Sequence, residues 1–200
     1  MSHCLFVSFQ WDGEDYRWEV LRNSMSPALY HVFHFLFIAI AQNLLLTAIT
    51  LPLAVSWHTT CVAKKAVPFN GYDALAITAC VFCLIVEAVA DQEQFDFHQR
   101  KHAGRLHASE KKLGFLADGL FGFSRHPNFF AEQSFWVGVC FFASASTGQW
   151  AGWWCVGVAG LIALFHGSTN FTEEISSRKY PGYQAYKASV SRLVPSQPSM

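Results

Sequence analysis

The sequence predicts an all-α, multi-pass transmembrane helical bundle of about four spans with both termini cytoplasmic, and three observations carry that expectation. First, 52% of the 200 residues are hydrophobic and only 14% are charged, where a soluble domain carries about 25% charged residues. Second, the apolar residues collect into runs close to the length of a span, since about 20 residues cross roughly 30 Å of hydrocarbon. Third, the basic residues fall almost wholly on one side of those runs. A soluble bundle would keep a polar stripe along each helix, and these runs show none.

The runs follow in order. Tyr30 to Val55 is apolar apart from His31, His34, Gln42, Asn43 and scattered threonines, and it is long enough to cross with tilt. Asp73 to Ala90 contains ALAITACVFCLIVEAVA, with one carboxylate, Glu87, near its end. Asn128 to Ala145 is weaker, because Asn128, Glu132 and Gln133 open it. Gln149 to Phe165 is rich in glycine and tryptophan and carries no charge. This divides the chain into a cytoplasmic lead-in (1–29), a bundle (30–168) with a cytoplasmic loop at 91–127, and a cytoplasmic tail (169–200). With four spans, twelve of the 14 Lys and Arg share the face of the termini and the long loop, and the other face holds only Lys64 and Lys65. Basic residues collect on the cytoplasmic side of short loops, which orients the bundle, and Trp57 and Trp150 then sit at the far interface. The first ten residues lack a charged region followed by an apolar stretch, so no cleavable signal peptide is expected.

Composition also excludes classes of function. Lys and Arg balance Asp and Glu at 14 each, a formal net charge of +0, which leaves no electrostatic footprint for nucleic acid. Of the six cysteines (4, 61, 80, 83, 140, 155), four lie in apolar runs, where the thiol behaves as a small hydrophobe. Cys80 and Cys83 form a C-x-x-C without polar context, and packing accounts for them. His98 and His102 fall on one helical face, yet no Asp, Glu or Cys completes a ligand set. No metal site is expected.

Polar groups at membrane depth are costly and mark function. Glu87 and Asp91 stand at i and i+4 as the second run ends, with Gln92 and Gln94 nearby. The segment SRHPNFFAEQ brings Arg125, His126 and Asn128 to a helix start, with Glu132 one turn in and Pro127 where a missing N–H costs nothing. Such a start suits an anionic ligand; an N-cap with interfacial snorkelling accounts for it equally well. In the tail, Tyr180, Tyr183 and Tyr186 recur every three residues beside Arg178 and Lys179. They could offer rings to a nucleotide and charge to a phosphate, or form an amphipathic helix on an anionic leaflet.

Together these residues resemble the steroid 5-alpha-reductase-like membrane family: E-x-x-x-D leaving a span (Glu87, Asp91), then SRHPNFFAE, then E-x-x-S-x-x-K-Y-P-x-Y-x-x-Y followed by S-R-x-x-P. The DGEDYRW segment, Asp12 to Trp18, is similar to that of its widespread, mostly uncharacterised branch. The resemblance covers Trp11 to Pro195. It implies an endoplasmic-reticulum bundle that binds NADPH from the cytoplasmic side and reduces an activated carbon–carbon double bond in a lipid or sterol. Carried over by position, Glu87 and Asp91 would contact the cofactor, Asn128 would lie at its nicotinamide end, and Glu132 would follow as the accompanying carboxylate. Arg125, His126 and the tail residues Tyr180, Tyr183 and Tyr186 would help enclose it. The reductases' glutamate and tyrosine that polarise the enone lie in earlier spans, so the resemblance implies a shortened member, a fragment of a longer sequence or a protein whose polarising groups come from elsewhere, and no catalytic acid is assigned. Arg100 and Lys101 are the candidates for the reductases' phosphate-binding arginine. A more distant likeness, to isoprenylcysteine carboxyl methyltransferases, rests on R-H-P and a late E-E (Arg125, His126, Glu173, Glu174). It implies S-adenosylmethionine as the alternative cofactor. A non-catalytic scaffold of the same fold is the third alternative.

Overall fold

In lipid every backbone polar group needs a partner within its own segment, which leaves the helix as the economical solution for an apolar chain. The structure, a computed structural model, describes residues 16–65 and 67–198. The first half of the lead-in, the signal-peptide reading and Asp12 to Asp15 of the DGEDYRW segment lie outside them. The described residues are helical with connecting turns: α1 (Tyr16–Ser24), α2 (Pro27–Val62), α3 (Gly71–His102), α4 (Ala108–Leu113), α5 (Pro127–Thr147), α6 (Val156–Lys179) and α7 (Tyr183–Ser189). Three helical stretches are long and apolar enough to cross a membrane: Pro27–Val62, Gly71–His102 and Trp153–Lys179. The protein is thus an all-α integral membrane protein. The expected third span, α5, forms as a helix of 21 residues, but Asn128, Glu132 and Gln133 in its first half dilute its apolar character.

The chain divides into two compact units. The first to be described comprises, among the described residues, 16–82 and 133–164. Here α2 begins at a sequence-encoded stop: the Ser26 hydroxyl accepts from the Leu29 N–H at 3.4 Å, and Pro27 occupies the first turn, a favoured pairing of cap and proline. Its pitch widens to a π-helix over Phe35–Gln42, and the Asn43 carboxamide donates to the Ala39 and Ile38 carbonyls at 3.1 and 3.3 Å. One polar side chain is thereby satisfied at membrane depth. A second irregularity follows at Thr50, because Pro52 has no N–H to continue the ladder. Of the most apolar window of α2, 6% is buried, and Phe35, Leu36, Leu44 and Trp57 are exposed; a surface this apolar belongs against lipid. Where α6 meets α2, Gly157 replaces a side chain with backbone. A Cβ there would lie 2.2 Å from the Ala48 carbonyl carbon, so the close approach depends on glycine, as small residues permit in membrane helix packing.

The second unit comprises, among the described residues, 83–132 and 165–198. Helix α3, at about 1.5 Å per residue, exceeds a hydrocarbon core and runs on to His102, well past Asp91 where a loop is expected. The segment after it is tied back by Glu110, which caps α4 by accepting the His107 N–H at 2.9 Å and pairs with Arg100. A small aromatic core of Phe115, Tyr183, Tyr186 and Val190 organises the rest. The Tyr186 hydroxyl donates to the Phe121 carbonyl at 2.6 Å. The tail beyond α7 is laced to the start of α5: Arg125 N–H donates to Ser191 O at 2.9 Å, His126 N–H to Arg192 O at 3.2 Å, and Ser124 Oγ to Leu193 O at 2.7 Å.

Candidate functional site

The polar groups of this second unit form two clusters. In the first, α3 contributes Glu87 and Asp91 and α5 contributes Asn128 and Glu132, each pair one turn apart and hence on one helical face. All four are half-buried. Asn128 Nδ2 donates to Asp91 Oδ1 at 3.1 Å, and Asn128 Oδ1 accepts the Phe129 N–H at 3.0 Å. The Glu87 and Glu132 carboxyl groups lie within interaction range of each other. The four residues that spacing marks in two separate runs are therefore brought together, with Asn128 and Asp91 bonded across the two helices. After these bonds, Asp91 keeps its Oδ2 as an acceptor and Asn128 keeps one N–H as a donor, half-buried side by side.

The second cluster centres on Glu173 of α6, whose side chain is 4% exposed. Arg125 grips it bidentately, Nε to Oε1 at 2.7 Å and Nη2 to Oε2 at 3.3 Å. Arg125 Nη1 donates to the Lys187 carbonyl at 3.0 Å and to the Val190 carbonyl. His126 Nε2 lies 3.1 Å from Oε1, and its ring stacks on Phe129, which meets Phe165 edge-on. Lys187 Nζ stands 3.4 Å from Oε2 and Arg192 Nε 4.0 Å from Oε1. The polar atoms of Arg125 and the Nε2 of His126 are thus engaged within the protein, where they fasten α5, α6 and the tail to one another. Sequence reading places Arg125 and His126 at a helix start but not Glu173 opposite them. The late E-E of the methyltransferase likeness is the signal that joins them.

The tyrosines part company. Tyr183 and Tyr186 are buried in the aromatic core, and Phe115 packs against both, with centroids 5.1 and 5.2 Å away. Burial pushes the Tyr186 phenol above its ordinary pKa. Tyr180 is half-buried between Lys101 and Lys179, whose ammonium groups lie 5.3 and 5.4 Å from its ring. Lys101 Nζ also donates to the Gly114 carbonyl at 2.7 Å and contacts the Tyr180 hydroxyl at 3.2 Å. Arg178 pairs with Glu174 on the exposed side of α6. Arg100, bonded to Glu110, holds that carboxyl below the usual carboxylate range. Each basic residue expected to meet a phosphate thus has a local contact: Arg100 with Glu110, Lys101 with Gly114 and Tyr180, Arg178 with Glu174, and Lys179 with the Tyr180 ring. In the other unit, an open cavity of about 420 Å³ is lined by Asn70, Tyr72, Leu75 and Ser144 among others; it contains no sequence-predicted site residue. Among the described residues, no group of three or more His, Cys, Asp or Glu side chains could hold a metal ion.

The chain is similar to a known protein family and to a yeast protein. A family model described as a protein of unknown function (DUF1295) matches residues 1–190. An uncharacterized protein of the fission yeast Schizosaccharomyces pombe (strain 972) is 32% identical over 193 residues, covering 92% of this chain and 55% of its own. The chain thus spans about half the length of that relative. No solved structure matches.

Proposed function

Since the chain belongs to the DUF1295 family, whose description assigns no activity, we propose from its own geometry that it is a membrane reductase of the steroid 5-alpha-reductase type. In this reading it uses NADPH to reduce an activated carbon–carbon double bond in a lipid or sterol. The observation that carries the reading is the Asp91–Asn128 pair beside Glu87–Glu132. A nicotinamide carboxamide presents one N–H₂ donor and one carbonyl acceptor; Asp91 Oδ2 and the second Asn128 N–H offer the complementary acceptor and donor. The residues present therefore fit that end of the cofactor. Bound NADPH would supply the hydride, and the protein's part is orientation and exclusion of water.

In this role Asn128 and Asp91 bind and align the carboxamide, while Glu87 and Glu132 flank it. Arg125 and His126 act as positioning residues: by fixing the first turn of α5 against Glu173 they fix where Asn128 points. The substrate enters from the bilayer, where a sterol or enoyl lipid partitions. The endoplasmic reticulum is the location this reading favours. The test is a titration of the full chain in nanodiscs with NADPH, NADH and S-adenosylmethionine. Tighter binding of NADPH, weakened about tenfold or more in Asn128→Ala and Asp91→Ala, would agree with a lost pair of polar contacts. Binding of S-adenosylmethionine alone would favour the methyltransferase reading, for which the convergence of Arg125 and His126 on Glu173 is the supporting observation.

A further inference from the structure

The Glu173 cluster carries more positive charge than it uses. Arg125, Lys187 and Arg192 are three permanent cations around one carboxylate. Arg125 takes both oxygens at short range, and His126 shares one of them. Lys187 and Arg192 are left at 3.4 and 4.0 Å, on different oxygens of the same group. The Arg192 Nε is shielded from solvent and has no hydrogen-bond acceptor among the described residues, although the side chain as a whole is 27% exposed. Its Nη2 donates to the neutral Asn170 carboxamide oxygen. The neighbouring carboxylate, Glu174, is already paired with Arg178.

We propose that Lys187 and Arg192 together bind a phosphate monoester at the edge of the Glu173 cluster. Two cations that share one saturated carboxylate match the charge of a phosphate dianion, whose oxygens accept from a guanidinium and an ammonium at once. The mounting is rigid: the Lys187 carbonyl accepts from Arg125 at 3.0 Å, and the Arg192 carbonyl accepts from His126 N–H at 3.2 Å. Both side chains reach solvent at a helix-and-tail junction. Inorganic phosphate, a soluble nucleotide with a terminal phosphate and a monoester lipid headgroup such as phosphatidic acid all present the same dianionic PO3 group, and the test separates the soluble sources from the lipid one. The inference goes beyond the reductase reading and does not require it.

Thermal unfolding of the full chain in phosphatidylcholine nanodiscs tests this in two arms. One adds inorganic phosphate against chloride at matched ionic strength; the other replaces part of the phosphatidylcholine with phosphatidic acid. A bound anion raises the midpoint by mass action. The expected result is a rise in at least one arm, abolished in Arg192→Gln, weakened about tenfold in Lys187→Gln and retained in Lys187→Arg. A rise with inorganic phosphate assigns the site to soluble phosphates, whereas a rise with phosphatidic acid alone assigns it to a headgroup. No rise in either arm, or a rise that survives in the Lys187→Gln/Arg192→Gln double variant, overturns the proposal. If Arg192→Gln does not fold, the half-exposed Lys187→Gln variant alone decides, since a phosphate response equal to wild type would overturn it.

Discussion

Replacing Glu173 with glutamine keeps the shape of the side chain and removes its charge. The carboxylate is 4% exposed and the Arg125 side chain facing it 9%, so the guanidinium would be left buried without its counter-ion. Breaking a buried pair from one side costs about 3–5 kcal/mol. Arg125 keeps two carbonyl acceptors, Lys187 and Val190, and glutamine keeps one oxygen, which puts the expected loss at the lower end, about 3 kcal/mol. For a chain of this size that is a fall in midpoint of roughly 6–12 °C. The adjacent Glu174→Gln is the internal comparison: Glu174 and its partner Arg178 are 60% and 78% exposed, and an exposed pair is worth less than about 1 kcal/mol. Thermal unfolding of both variants in nanodiscs reads the difference. A Glu173→Gln protein that unfolds with wild-type midpoint, or a Glu174→Gln protein equally destabilised, would refute the view that Glu173 is the hub on which α5, α6 and the tail are fastened.

Other perturbations test other parts of the structure. Gly157→Val drives a side chain into the Ala48 backbone and is expected to cost at least about 1–3 kcal/mol, whereas Gly167→Ala, which meets nothing within 4 Å, is expected to stabilise by about 0.5–1 kcal/mol; yields and midpoints in nanodiscs distinguish them. Tyr186→Phe leaves the Phe121 carbonyl without its donor and is expected to cost about 1–2 kcal/mol near neutral pH. Because the folded phenol is raised above its ordinary value of 10.0, its stabilising contribution is complete below that pH and is lost as pH rises through the folded value. The Tyr186→Phe protein should therefore lose less stability in alkali, measured by midpoints across an alkaline series. Glu110 is depressed chiefly by its hydrogen bonds from Arg100, so its contribution is present above the ordinary value of 4.5 and is lost as pH falls through the lower folded value. Protection of the 108–113 amides, taken relative to their intrinsic exchange rate at each pH, should drop with that fall in the wild type, and the acid dependence should flatten in Glu110→Gln.

The helical class was legible in the sequence because lipid and backbone impose the same requirement on every apolar run. The one-turn spacing made legible that Glu87 and Asp91 share one helical face and that Asn128 and Glu132 share another, while only the family resemblance grouped the two pairs. The continuation of α3 to His102 was hidden, since residues past Asp91 are polar and a hydropathy reading stops where apolarity stops; the helix persists because Arg100 and Lys101 find partners in Glu110 and Gly114. Nor could spacing assign the tyrosines. A three-residue recurrence fits a nucleotide platform and a buried helix face equally, and the decision was made by Phe115, an aromatic far away in sequence. The Glu173 hub was hidden for the same reason, because opposite charges separated by a long stretch of chain carry no local signal of their pairing.

The proposed nicotinamide site has Asp91 and Asn128 at one end, and it stands or falls on the affinity of the full chain, in nanodiscs, for NADPH set against that of Asn128→Ala, with unfolding midpoints recorded for both. NADPH is expected to bind the wild type in preference to S-adenosylmethionine, and to bind Asn128→Ala about tenfold or more weakly at an unchanged midpoint. Equal NADPH affinity in both proteins, or no NADPH binding by the wild type, would contradict it.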